Sequence, residues 1–171
     1  MNNYGQTGIS ANAGEDGAVI EKPALVRSLT GKGVREIACG LHHSIACGQD
    51  GTVWSWGRCD DGQPGVPIGD LSEEEVVEGK ILLFPTEVKV VGNAKTVAAG
   101  IDNSFAVTDE GEVYAWGFSG NYRTGLGTDE TVDTATLVEN SAIKGKEITF
   151  AGCGGQFSVL AGPASEKRSG A

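Results

Sequence analysis

The side chains most suggestive of chemistry are two cysteines and two histidines at residues 39–47. Cys39, His42, His43 and Cys47 are residue types that ligate zinc. A zinc site needs such side chains to converge tetrahedrally. An equivalent segment 60 residues later has Ala99, Asp102, Asn103 and Val107 at these places. A segment that recurs without the ligands does not depend on a metal, so we expect no metal site and no cofactor.

Two serines raise the question of nucleophilic catalysis. Ser44 and Ser104 each lie near a histidine or an aspartate in the sequence. Neither belongs to a nucleophile-elbow pattern. The glycine-rich residues 152–155 lack the Lys-Ser/Thr of a phosphate-binding loop. We therefore expect no catalytic residue, and we look for a function in binding.

The composition limits the class of protein and of partner. The 171 residues carry a net charge of -10, which disfavours direct binding of nucleic acid. No apolar stretch approaches the ~20 residues of a membrane span. The sequence shows no signal peptide, so we expect buried thiols in a reducing compartment rather than two disulfides. The cysteines are Cys39, Cys47, Cys59 and Cys153.

The elements that carry these residues are repeated. Residues 34–57 read VREIACGLHHSIACGQDGTVWSWG, and residues 94–117 read AKTVAAGIDNSFAVTDEGEVYAWG without a gap. Repeats of this length are typical of solenoids and propellers. Because Trp56 and Trp116 recur, we expect core packing of the indoles rather than a ligand-stacking cluster with Trp54.

Both ends of the chain resemble parts of the repeat. KEITFAGCGGQFSVL at residues 146–160 resembles its head, and NYGQTG at residues 3–8 resembles the tail after each Trp-Gly pair, such as DGQPG at residues 61–65. We expect the chain to open at one repeat's tail and close at another's head, and Met1 not to be a natural start. Such a piece should not close into a ring by itself.

Each repeat predicts four short β-strands, as in a propeller blade of about 50–60 residues. Asp50-Gly51 is a hairpin signal. Side chains of the second strand alternate, with Ile45 and Cys47 on one face and Ala46 on the other. We expect an all-β fold, a β-propeller fragment of between two and three four-stranded blades. The predicted strands are residues 36–39, 44–47, 52–57, 84–91, 113–116 and 135–138.

The predicted domain organisation is a partial propeller at residues 1–162 and a short flexible tail at residues 163–171. The acidic insertion at residues 70–80 predicts a surface loop, because Gly69 and Gly79 disfavour a helix there. The propeller divides into residues 1–30 (tail of a repeat and connection), 31–82 (repeat), 83–140 (repeat) and 141–162 (head of the closing repeat).

The strings GLHHS at residues 40–44, DGTVWSWG at residues 50–57 and NYGQTG at residues 3–8 resemble the repeat of the regulator of chromosome condensation family. The resemblance extends over residues 2–160. The double histidine, FSGNY at residues 118–122 and the closing GGQFSVL are most similar to the C-terminal part of a fungal-type exchange factor. This resemblance implies a seven-bladed parent propeller.

The resemblance also implies guanine-nucleotide exchange on the small GTPase Ran, in the nucleus. Such exchange works by tighter binding of the nucleotide-free GTPase rather than by bond chemistry. In this family the position two residues after the repeat glycine lies on the GTPase-facing side. His42, Asp102 and Gln156 hold that position, so we expect them to bind the partner, His42 foremost. The alternative for His42 is a place in a solvated loop without a partner. The isolated piece is expected to be inactive, and any chromatin contact to use other parts of the parent.

Residues that recur at one repeat position are expected to be structural, with His43 bonding the backbone of the neighbouring blade. An alternative function is a non-catalytic interaction propeller of a ubiquitin ligase or trafficking regulator. The stop soon after Leu160 favours the exchange factor, because a module of a larger chain would run on. The expected structural residues are Gly40, His43, Ser44, Gly51, Trp56, Gly57, Gly100, Ser104, Gly111, Trp116, Gly117 and Gly154.

Overall fold

The computed structural model describes residues 1–164; the rest of the expected tail lies outside the described residues. Within them, three 3₁₀ turns span Arg27–Leu29, Ile68–Asp70 and Gly120–Tyr122. The strands are β1 (Val34–Cys39), β2 (His43–Gly48), β3 (Val53–Arg58), β4 (Val76–Val77), β5 (Ile81–Val88), β6 (Ala94–Ala99), β7 (Asn103–Thr108), β8 (Val113–Gly117), β9 (Val132–Leu137), β10 (Phe150–Cys153) and β11 (Ser158–Ala161).

These strands form three antiparallel sheets, which we call blades 1, 2 and 3. Blade 1 has the order β1-β2-β3-β5-β4, blade 2 the order β6-β7-β8-β9, and blade 3 contains β10 and β11. Consecutive strands pair through short hairpins, as the turn signals predicted. The predicted all-β propeller fragment is confirmed.

The acidic insertion differs from its prediction as a surface loop. Its strand β4 pairs with β5 through Val76↔Leu82 and Val77↔Ile81. Positive φ angles of 52° at Glu78 and 66° at Gly79 let the chain reverse between the two strands. Blade 1 therefore has five strands instead of the predicted four.

The outer strand of blade 1 begins earlier than the sequence suggested. β5 pairs with β3 from Val53↔Val88 to Arg58↔Ile81, so it belongs to blade 1 along its whole length. The expected repeat boundary between residues 82 and 83 falls inside this strand. The reason is that the insertion separates β5 from the repeat it completes, so the spacing of the repeat does not give the residue at which this strand begins.

The core lies between the blades. Every residue of β2 and β7 is buried, because each middle strand has a packed layer on both faces. Ile45 and Cys47 pack against blade 2 with Trp116. Ala46 faces the other way and packs with Trp56. The predicted alternation in β2 therefore holds.

Candidate functional site

Three turns carry the residues expected to bind a partner. His42, Asp102 and Gln156 lie between the first two strands of blades 1, 2 and 3. The first two turns touch, because the backbone N–H of Leu41 donates to the carbonyl oxygen of Ile101 at 3.2 Å. The side chains of Leu41 and Ile101 are exposed, so apolar groups lie beside the polar ones. We call the edge of the structure formed by these three turns the rim.

The turns approach each other through backbone. A Cβ on Gly40 would overlap the Gly100 carbonyl oxygen and the His43 ring. A Cβ on Gly100 would overlap the Asn103 side-chain oxygen and lie 3.0 Å from the Cβ of Cys153. Glycine is needed at both positions, and it fixes how closely neighbouring turns can stand.

Behind the turns, side chains of neighbouring blades are hydrogen bonded. His43 Nε2 lies 2.8 Å from Ser104 Oγ, so the partner of His43 is a hydroxyl and not the backbone group that we predicted. In the next pair of blades, Asn103 Nδ2 donates to Ser158 Oγ at 3.4 Å. Burial lowers the pKa of His43 to about 4, which keeps its imidazole neutral near pH 7. Both members of the His43–Ser104 pair are buried, and a pair that substrate cannot reach does not support hydrolysis.

The segments with the sequence pattern of a repeat tail pack against the following blade. We call residues 2–8, 59–65 and 119–125 the tail loops. In the first, the Gln6 carbonyl oxygen accepts hydrogen bonds from Ser44 Oγ at 2.7 Å and Trp56 Nε1 at 3.0 Å. The recurring serine and tryptophan thus satisfy a carbonyl of the preceding repeat.

The second tail loop makes the same contacts. The Gln63 carbonyl oxygen accepts hydrogen bonds from Trp116 Nε1 at 2.9 Å and Ser104 Oγ at 3.4 Å. The recurring glycines occupy turns or strand ends: Gly51 and Gly111 lie in the β2–β3 and β7–β8 hairpins, Gly57 and Gly117 at the ends of β3 and β8, and Gly154 in the β10–β11 turn.

His42 is partly buried and packs on an aromatic ring. Its centroid lies 4.7 Å from that of Tyr4, with the planes tilted by 43°. Arg58 Cζ stands 5.6 Å from the centre of the Tyr4 ring. The Nδ1 atom of His42 is buried without a hydrogen-bond partner among residues 1–164. Stacking, rather than a hydrogen bond, therefore orients this imidazole.

Asp102 is held by polar groups. Gln63 Nε2 donates to its Oδ1 at 3.1 Å, and Arg58 Nη1 lies 3.8 Å from the same oxygen. Arg58 also pairs with Asp60 and Asp61, at 2.5 and 3.3 Å. The hydrogen bond that Arg58 donates to Asp60 raises the pKa of Arg58. Desolvation, together with the nearby Asp60 carboxylate, raises the pKa of Asp61. Three carboxylates around one guanidinium leave this part of the rim negative.

Gln156 lies at a cavity of about 240 Å³ that is also lined by Tyr122 and Phe157. The third tail loop reaches its turn, because Arg123 Nη1 donates to the carbonyl oxygen of Gly155 at 2.9 Å. The guanidinium of Arg123 also stacks on Phe118, with Cζ 4.9 Å from the ring centre. Gln156 therefore stands on the same rim, but its own side chain makes no hydrogen bond within the described residues.

The sequence did not identify the tail-loop side chains that support the turns. Tyr4, Gln63 and Arg123 each contact the turn of the following blade. The sequence did contain a pattern that could have indicated these contacts, because a similar number of residues separates each tail from the Gly-x-x motif of the next repeat. The contact itself joins residues some 30–40 positions apart and is visible only once the blades stack.

The thiols are all unpaired and differ in exposure. Cys39 is exposed, Cys47 and Cys59 are buried, and Cys153 is intermediate. The expectation of buried thiols therefore fails for Cys39, because β1 has no packed layer on its outward face. Among residues 1–164, no group of three or more His, Cys, Asp or Glu side chains is placed to hold a metal ion. The same part of the chain has no helix with the length and apolar character to cross a membrane.

Comparison with known families gives two matching profiles. Both are described as the regulator of chromosome condensation (RCC1) repeat. One matches residues 34–63 and 94–123, and the other matches residues 1–47 and 110–161. The matches include the turns of His42, Asp102 and Gln156.

Individual relatives point the same way. Protein RCC1 of Candida albicans is 39% identical over 95% of this chain and 36% of its own length. The guanine nucleotide exchange factor SRM1 of Saccharomyces cerevisiae is 39% identical over 95% of this chain and 34% of its own length. The crystal structure of Prp20p from Saccharomyces cerevisiae, a protein studied for its binding to Gsp1p and histones, superposes with a TM-score of 0.84 at 39% identity. The superposition covers 94% of this chain and 37% of the Prp20p chain. The present chain thus spans about a third of the length of these relatives.

Proposed function

We propose, because this chain belongs to the regulator of chromosome condensation repeat family, that it is part of a guanine-nucleotide exchange factor for a Ran-type small GTPase. The similar protein SRM1 is named as an exchange factor. The GTPase would bind on the face of the propeller that carries the three turns, and the parent ring would have seven blades on the family resemblance.

One observation carries the proposal at the level of residues. His42, Asp102 and Gln156 stand on adjoining turns of one rim, and they differ although the scaffold beneath them repeats. A uniform scaffold with varied residues in its turns is typical of repeat proteins that bind another protein along one surface. The exposed Leu41 and Ile101 add apolar area to the polar groups of this rim.

The proposed mechanism is thermodynamic linkage. If the rim binds the nucleotide-free GTPase more tightly than the loaded form, bound nucleotide is weakened by the same factor. Each tenfold difference corresponds to about 1.4 kcal/mol. No covalent step is required of this chain, and the residues of the rim act by contact.

The nucleus is the proposed place of action, because Prp20p was studied for binding to histones. Protein contacts are favoured over contacts with nucleic acid by the charge of -10. The alternative of a ligase or trafficking module is not favoured, because the relatives at 39% identity are protein RCC1 and a named exchange factor.

Nucleotide release tests the proposal. Fluorescent GDP on a purified Ran-type GTPase would be chased with excess unlabelled nucleotide, with the full-length gene product added in catalytic amount. We expect the full-length product to accelerate release and the 171-residue chain to give little acceleration by itself. No acceleration by the full-length product would refute the assignment to exchange.

A further inference from the structure

The side chain of Gln63 is fully buried, and both the oxygen and the nitrogen of its amide make hydrogen bonds. Its Oε1 accepts a hydrogen bond from the backbone N–H of Asp61 at 2.9 Å. Its Nε2 donates to Asp102 Oδ1 at 3.1 Å. The amide thus joins the tail loop of one repeat to the rim carboxylate of the next.

The tail loop that carries this amide is itself fixed. The backbone carbonyl of Gln63 receives the Trp116 indole N–H and the Ser104 hydroxyl, both from blade 2. These bonds involve the backbone of Gln63, so they do not depend on its side chain. The amide therefore presents a donor to Asp102 from a rigid support.

The preceding repeat lacks this arrangement. Gln6 Oε1 accepts from the backbone N–H of Tyr4 at 3.0 Å, as Gln63 does from Asp61. No hydrogen bond joins the Gln6 amide to His42 within residues 1–164, and His42 Nδ1 has no partner there. The amide-to-rim bond is thus an addition in blade 2 and not a requirement of the fold.

Arg58 contributes less to the orientation of Asp102. Its Nη1 lies 3.8 Å from Asp102, beyond hydrogen-bond distance, whereas it pairs more closely with Asp60 and Asp61. The guanidinium supplies attraction without a fixed direction. The directional contact to the carboxylate is the one from Gln63.

We propose that Gln63 is a positioning residue, which holds the Asp102 carboxylate in one orientation so that it can receive a hydrogen-bond donor from the partner. The inference rests on the proposed binding of a GTPase at this rim. A carboxylate that is already fixed loses less side-chain freedom when the partner binds. Removal of the hydrogen bond from Gln63 should therefore weaken binding about three- to tenfold.

The variant Gln63→Met tests this role, because it keeps the length of the side chain and removes both polar groups. Gln6→Met is the matched control, since it makes the same change in a tail loop that does not bond a rim side chain. Affinity of the full-length gene product for the nucleotide-free GTPase would be measured for both, for Asp102→Ala, and for the double variant of Gln63 and Asp102. We expect Gln63→Met alone to weaken binding, and to add nothing in the Asp102→Ala background.

An equal loss from Gln6→Met, or an undiminished effect of Gln63→Met beside Asp102→Ala, would overturn the positioning role. A second measurement separates this outcome from failure of the proposed function. In the 171-residue chain without GTPase, NMR scalar couplings should show a single χ1 rotamer of Asp102. In the Gln63→Met variant, the same couplings should show averaging over several χ1 rotamers. Unchanged couplings overturn the positioning role even if the full-length product binds the GTPase, and averaged couplings support it even if no GTPase binds.

Discussion

His43 in blade 1 and Ser104 in blade 2 form a buried hydrogen-bonded pair, with Nε2 and Oγ 2.8 Å apart. The pair joins two sheets at the base of the turns that carry His42 and Asp102. Its histidine must remain neutral, because burial lowers the pKa from 6.5 to about 4. Folding is therefore linked to pH at this position.

The free energy of unfolding should fall as the pH drops from about 6.5 to about 4. Between these pH values the unfolded chain binds a proton at His43 that the folded chain excludes, so acid favours unfolding. Above about pH 6.5 His43 is neutral in both states, and the full stability is present. The shift corresponds to a loss on the order of 3 kcal/mol. Urea denaturation at a series of pH values would measure it. His43→Asn, the residue found at the equivalent Asn103, should show a smaller decline, and equal declines would contradict the prediction.

Gly40→Ala should destabilise the chain by about 1–3 kcal/mol, because the added Cβ overlaps the Gly100 carbonyl and the His43 ring. Urea unfolding would measure the loss. Gly69→Ala is the control, since a Cβ there meets nothing within 4 Å and the backbone φ is not positive. A similar loss in both variants would show that the close approach of the turns is not the cause.

Trp116→Phe should cost about 1 kcal/mol more than Trp54→Phe. Trp116 donates its indole N–H to the buried Gln63 carbonyl, and that acceptor loses a donor in the variant. Trp54 is also buried, but its indole N–H makes no hydrogen bond within residues 1–164. The difference in free energy of unfolding between the two variants is the measurement, and no difference would show that packing alone decides the cost.

His42→Ala should weaken binding of the nucleotide-free GTPase by on the order of 1–2 kcal/mol in the full-length gene product. The melting temperature should stay within a few degrees of the wild type, since His42 is partly exposed and makes no side-chain hydrogen bond. His43→Ala is the contrasting variant, and it should lower the melting temperature because it breaks the buried pair with Ser104. Intact binding with a lower melting temperature for His42→Ala would make that residue structural.

One thiol should react much faster than the others with a disulfide reagent at pH 8. Cys39 is exposed, whereas burial raises the pKa of Cys59 to about 12 and that of Cys153 to about 11. Because the thiolate is the reactive form, we expect Cys59 and Cys153 to react slowly while the chain is folded. The fast phase should disappear in Cys39→Ser. A fast phase that persists would mean that another thiol opens readily to solvent.

Local patterns were sufficient for most of the strands and for the side-chain alternation within β2. The hairpin at Asp50-Gly51 and the alternation of Ile45 and Ala46 follow from short-range geometry. They were not sufficient for the first residues of β5, which follow an insertion, or for the hairpin within that insertion. The strand–strand pairing there joins segments that no repeat pattern links.

For the proposed site residues, the turns on which they lie were predictable from the sequence, and the contacts of their side chains were not. The register of the repeats placed His42, Asp102 and Gln156 at equivalent turns, and the structure has them there. Their partners differ: a tyrosine ring beside His42, an amide bonded to Asp102, and an arginine on the backbone next to Gln156. These supports come from the preceding repeat, so they depend on how the blades stack.

The contact between Gly40 and the Gly100 carbonyl has a consequence for how such a rim can change in evolution. The separation of neighbouring turns is set by main-chain atoms, so it is the same whichever side chains stand at His42 and Asp102. A substitution at either position changes the hydrogen-bonding groups and the charge at one turn of the rim. The distance from that turn to the next one stays the same. New binding preferences can therefore arise by single replacements, one turn at a time, without any adjustment of the fold that carries them.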